Sequence, residues 1–150
     1  LSYLESAEII IGHVMDGIEL AKKQRLPDII VDFIRTHHGT SRVEYFYRKF
    51  KEDHPDASQF ESFQYPGPKP FSKETAIVMM SDAVEASTRS LSEKTQSNLN
   101  ELIDSVIDHQ LTTGQYDNAD ITLKDINTIR EAFKKFIRGV YHVRIEYPKE

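Results

Sequence analysis

A chain of 150 residues with 39% hydrophobic and 29% charged residues has the size and balance of one soluble domain with a real core. It contains no cysteine, which excludes disulfides, thiolate zinc sites and a cysteine nucleophile, and suits a reducing compartment. A net charge of −5 leaves no global attraction for DNA or RNA, so an anionic substrate would have to be held by metal ions and by local Lys or Arg.

The periodicity predicts helix from one end to the other. Ser2-Tyr3-Leu4-Glu5 has the form of a capping box, and Ile9, Ile10, His13, Gly17, Leu20 and Ala21 fall on one face of the helix that follows. Lys22, Lys23 and Arg25 suit its last turn, and Leu26-Pro27 breaks it. Pro27 then suits the first position of a second helix, 27–38, with Ile30, Phe33 and Ile34 inward and Gly39 as its stop. Ser41-Arg42-Val43-Glu44 repeats the capping-box pattern and predicts a third helix to about residue 52, closed by His54-Pro55. Residues 55–71 read as a loop whose stiff centre is Tyr65-Pro66-Gly67-Pro68-Lys69-Pro70. Helices are expected over 73–89 and 93–113, with Gly114 ending the latter. A last one, capped by Thr122-Leu123-Lys124-Asp125, is expected to reach residue 147. Ile126, Ile129, Phe133, Phe136, Ile137 and Val140 form its expected core stripe. The fold class is therefore all-α, about six helices in a single domain spanning 1–150. No run approaches the ~20 apolar residues of a membrane-spanning helix, and no signal peptide is visible. The opening Leu-Ser-Tyr, without an initiator Met, suggests a piece of a longer protein.

The chemistry concentrates in four residues from three segments. His37 and His38 are adjacent at a helix end, where two rings can be aimed at one point, and neutral imidazole is the commonest metal ligand. His13 lies mid-helix on an apolar face, and Asp82 interrupts the apolar run 76–84. Each also has a plain reading: a C-cap histidine pair, a satisfied core histidine, a solvent-facing carboxylate. Yet the neighbours of Asp82 one turn away are Val78, Met79 and Ala86, and a buried carboxylate needs a partner such as a cation. Together the four favour a site for Mn, Fe or Zn. Tyr65 could stack on a base, with Lys69 near a phosphate, or the loop could be a spacer. Arg42 and Arg89 are further candidate phosphate contacts. His54, His109 and His142 sit among charges and read as surface. There is no Gly-rich phosphate cradle, no G-x-S-x-G and no H-E-x-x-H, which points to water activated by a metal as nucleophile.

At the stretches 5–21, 26–40, 65–70 and 76–90 the chain resembles the HD superfamily of metal-dependent phosphohydrolases. The likeness is to the branch formed by the cytosolic HD domains of seven-transmembrane, PgpH-type proteins. The resemblance implies an HD-like helical bundle acting as a phosphodiesterase that opens cyclic di-AMP to linear pApA with two iron or manganese ions. It implies that His13, His37 and His38 ligate one ion and Asp82 the other, and that the parent protein is anchored at the cytoplasmic face of the cell membrane. The namesake His-Asp dyad is absent, since no His here is followed by Asp. The family places the dyad and a further His upstream, so the chain is expected to be the C-terminal portion of the catalytic domain, holding at most one ion well and lacking activity alone. A Gly-Tyr-Pro signature after the histidine pair, carried by the cyclic di-GMP branch, is also absent. The rival readings are an HD enzyme for another nucleotide and a non-catalytic module that binds a nucleotide or another domain.

Overall fold

A computed structural model describes residues 1–143, and among them the chain forms six α-helices. Helix α1 (Tyr3–Lys23) opens on the predicted capping box: Ser2 Oγ accepts from the Glu5 N–H, and the Glu5 carboxylate accepts from the Ser2 N–H at 2.7 Å. Helix α2 (Asp28–Thr36) is two residues shorter at its C-terminal end than the spacing suggested, with Pro27 at the N-cap and His37 at the C-cap. Helix α3 (Glu44–Asp53) is followed by a loop that holds a single 3-10 turn, Glu61–Phe63, absent from the sequence reading. Helices α4 (Lys73–Ser90), α5 (Gln96–Thr112) and α6 (Leu123–Val140) complete the order, α4 and α6 each starting with a complete capping box.

Three local expectations fail for identifiable reasons. The Ser41/Glu44 capping box does not form: Ser41 Oγ donates to the His38 carbonyl at 2.6 Å and Glu44 is drawn to Arg42, so α3 starts at Glu44 with Val43 at the N-cap and no side-chain cap bond. Helix α5 begins after Thr95, whose hydroxyl caps Asn98 N–H, rather than near residue 93. Helix α6 stops at Val140, with Tyr141 as its C-cap; the last residues of its expected extent, 144–147, lie outside the described ones.

The core is built mainly by α4, α5 and α6. Ala76, Met80 and Val84 of α4 meet Leu99, Ile103 and Ile107 of α5, with Ile126 and Ile137 of α6 and Tyr116 closing the far side. Each fully buried Leu or Ile there contributes roughly 1.5–3 kcal/mol of apolar transfer. Phe136 and Val140, expected in this core, are instead exposed and edge an apolar groove between α4 and α6. The N-terminal half packs α1 against α2, α3 and the 3-10 turn, and α2 joins the halves by touching both α1 and α4. The buried seam of α1 is Ala7, Val14 and Ala21, not the face of Ile9 and Leu20, which are exposed. In α2 the buried positions are Val31 and Thr36, while Ile30 is exposed. The apolar side of each helix is wider than the strip its neighbours cover, so period alone does not choose which of its residues are buried; close approach of neighbours selects small or β-branched residues.

Candidate metal centre

The site lies where α1, the end of α2 and the middle of α4 converge. The rings of His13, His37 and His38 form one cluster in which a ligating nitrogen from each lies within 4.8 Å of the others. His13 and His37 meet Nε2 to Nε2 at 3.2 Å. Each is oriented by its own helix. His13 Nδ1 meets the Ile10 carbonyl, and His37 Nδ1 meets the Ile34 carbonyl at 2.6 Å. A carbonyl only accepts, so in the neutral rings the proton sits on Nδ1 and the lone pair on Nε2. Two lone pairs then face each other across 3.2 Å. A cation relieves that repulsion. Two nitrogens each ~2.1 Å from one ion at a right angle lie about 3.0 Å apart, so the pair fits a divalent metal. The Nδ1 bonds are the outer contacts that usually fix the tautomer of a ligating histidine.

His38 is held differently. No backbone carbonyl of its own helix takes its ring. The Tyr65 ring stacks on it instead, centroids 4.3 Å apart and planes 18° from parallel. Its Nδ1 lies 3.7 Å from Asp82 Oδ2. Burial, followed by the neighbouring His37 and His13, pushes the His38 pKa down to about 3, so the ring is neutral and ready to ligate at ordinary pH. Burial, helped by the charge of Asp82, pushes the Tyr65 phenol up to about 12 and keeps it protonated.

Of the four residues singled out in the sequence, the three histidines meet and Asp82 joins them through His38. Two of the reasons given for them do not hold. The Asp82 side chain is 46% exposed, so burial cost is not what calls for a cation beside it. His13 is likewise exposed rather than set on a buried apolar face. Tyr65 is at the site, but one face of its ring is spent on His38. Lys69, on the same loop, lies 3.9 Å from Asp117. Arg42 and Arg89 are not brought to the cluster. Arg42 bonds Glu44 at 2.8 Å and stacks on Tyr47 and Phe60, while Arg89 pairs with Glu85 on the solvent side of α4. His54, His109 and His142 are surface residues as expected.

The turn after the histidine pair is fastened by residues the sequence did not flag. Gly39 takes φ +51°, and a Cβ there would sit 2.5 Å from Gln115 Oε1. Thr40 N–H donates to that Oε1 at 2.9 Å, and the Thr40 carbonyl accepts from Gln64 Nε2 at 3.1 Å. The Arg42–Gln64 bridge and a bond from Tyr65 N–H to the Ser41 carbonyl at 2.9 Å stitch the tyrosine loop to the same turn. Neither glutamine belongs to a motif; each is made relevant by contacts across the fold.

A helical bundle that closes three imidazoles on one point, with a carboxylate beside them, is a divalent-metal domain. No family model matches the chain. It is 41% identical over 146 residues to a cyclic-di-AMP phosphodiesterase, PgpH, of Listeria monocytogenes, and 39% identical over 144 residues to PgpH of Bacillus subtilis. These matches take in 97% and 96% of this chain but about a fifth of each relative's length. The crystal structure of the L. monocytogenes PgpH HD domain in complex with cyclic di-AMP superposes with a TM-score of 0.91 at 41% identity, covering 98% of this chain and 68% of that one. The chain belongs to the PgpH family of HD domains.

Proposed function

We propose that this chain is the metal-binding part of a phosphodiesterase domain that hydrolyses cyclic di-AMP to linear pApA at the cytoplasmic face of the cell membrane. The observation that carries the reading is the His13–His37 contact, Nε2 to Nε2 at 3.2 Å with both Nδ1 atoms committed to carbonyls. Support for the substrate comes from the PgpH relatives and from the related HD domain seen with cyclic di-AMP. The membrane location rests on the resemblance; among the described residues no helix is long and apolar enough to cross a membrane.

His13, His37 and His38 would hold one divalent ion, manganese or iron, and Asp82 would contribute to a second. When bound, such ions polarise a phosphodiester and lower the pKa of water beside it. The chain's own residues do the rest. His38 stays neutral because it is buried, and so remains a ligand rather than a competing cation. Tyr65 keeps its proton and walls one side of the cluster. Lys69 is the candidate phosphate contact of the tyrosine loop, its ion pair with Asp117 being long and partly solvated. Arg42 and Arg89, each already matched by a glutamate, are the weaker candidates.

The test is chromatography of products after the protein carrying this domain is incubated with cyclic di-AMP and manganese. The expected result is pApA from the wild type and none from His38→Ala or Asp82→Ala, with helicity retained in both. Intact cyclic di-AMP alongside cleavage of another nucleotide would overturn the substrate. A protein that neither binds metal nor cleaves any nucleotide would overturn the enzyme reading altogether.

A further inference from the structure

His13 and His37 take their ring orientation from their own helices, whereas His38 has no such bond, so something else must fix it. Its backbone lies in a turn that leaves helical geometry at Gly39 and ends at Thr40. Thr40 is gripped from both sides. On one side Gln115, only 2% exposed, accepts from the Thr40 N–H at 2.9 Å and from its hydroxyl at 3.3 Å. On the other, Gln64 donates to the Thr40 carbonyl at 3.1 Å, and the next residue is Tyr65, whose ring lies flat on His38. Gln115 is itself anchored, its N–H donating to the Gln110 carbonyl at 3.0 Å beyond the end of α5. Buried side-chain amides with several bonds hold a fixed geometry, because losing one bond leaves a desolvated polar atom.

We propose that Gln115 and Gln64 form a clamp on Thr40 that positions His38 for metal ligation, which makes them positioning residues, with no direct contact to the ion. The inference rests on the metal-site reading above. It also accounts for glycine at position 39, where any side chain would displace the Gln115 oxygen.

The test is calorimetric titration of the protein carrying this domain with Mn²⁺, alongside its melting temperature. Gln115→Met removes both hydrogen-bonding atoms at nearly constant volume, and a fall of about 10-fold or more in Mn²⁺ affinity is expected, the lower end of what an outer-contact mutation costs. Gln115→Glu keeps the oxygen that Thr40 N–H needs and should stay within about threefold of the wild type by the same comparison. A purely structural role would lower the melting temperature in both variants and leave Mn²⁺ affinity unchanged, and that result would overturn the clamp. Should Gln115→Met fail to fold, Gln64→Met on the more open side carries the same expectation, and unchanged affinity there overturns the clamp equally. If the wild type binds no Mn²⁺, the metal site and the clamp fall together; binding in the wild type with no change in the variants removes the clamp alone.

Discussion

Within one cluster, two histidines and a third are built on different principles. The rings of His13 and His37 are set within a turn of their own Cα atoms, by the carbonyls of Ile10 and Ile34. The ring of His38 is set by Tyr65, Asp82 and a turn fastened by Gln64 and Gln115, residues 26 to 77 positions away. The orientation of the first two rings is a product of helix geometry, while their meeting needs only α1 packed on α2. The third ring depends on the tertiary fold and is the member through which distant changes can reach the metal.

The sharpest way to break this comparison is to remove a locally fixed ligand. His37→Ala should lower Mn²⁺ affinity by about 100-fold or more, since the ligand itself is lost rather than its support. The metal-free protein should hardly notice, because the change also removes the facing lone pairs; a stability shift within about 0.5 kcal/mol is expected for a half-exposed site. Calorimetry and chemical denaturation of the same sample measure the two quantities. A large loss of apo stability would mean that His37 is a structural residue.

The stacked ring is the next lever. Tyr65→Phe keeps the flat packing on His38 and should leave Mn²⁺ affinity within about threefold, whereas Tyr65→Leu should cost about 10-fold. Equal effects of the two would show that the phenol, not the ring face, is what His38 needs.

How much of this was legible in the sequence divides along the same line. The capping box at Ser2 and the cap at Thr122 are legible because a cap joins residues three apart, whereas the box at Ser72, closed by Thr75 rather than by Glu or Gln, is not. The four site residues are legible as chemistry, from residue type and placement on the helices, and the family resemblance adds only how they divide between two ions. The Ser41 cap misled because its two members had better offers, a carbonyl of the histidine turn and the guanidinium of Arg42. The buried strips of α1 and α2 are not legible because each helix has an apolar side wider than the strip its neighbours cover. Gln115 was not legible at all. A glutamine after a helix-ending glycine looks like any surface residue until the fold carries it 75 positions back to Thr40.

A smaller effect comes from the second buried network beside this turn. Tyr116 donates to Gln110 Oε1 at 2.5 Å, and burial raises its pKa above the ordinary tyrosine value of 10.0. The folded protein thus holds this proton more tightly than the unfolded chain. The stability linked to it is fully present below pH 10 and is lost as pH rises through the folded value. Tyr116→Phe should cost about 1 kcal/mol near neutrality for the lost hydrogen bond, and should flatten the decline above pH 10 in urea titrations at stepped pH. A variant whose stability falls as steeply as the wild type in that range would place the alkaline transition elsewhere.

The smallest effect is expected at Arg89, which tests where the cluster ends. It sits about two turns along α4 from Asp82, and its side chain is 70% exposed and pairs with Glu85 four residues earlier at 3.3 Å. An exposed pair of this kind contributes a few tenths of a kcal/mol and is screened by salt. Arg89→Ala should therefore leave Mn²⁺ affinity unchanged and move stability by less than about 0.5 kcal/mol. The informative measurement is cyclic di-AMP turnover by the protein carrying this domain. A KM within twofold of the wild type removes Arg89 from the candidate phosphate contacts. A KM raised 10-fold with kcat unchanged would mean that Arg89 leaves Glu85 for a phosphate, extending the binding surface along α4 beyond anything the resting ion pairs indicate.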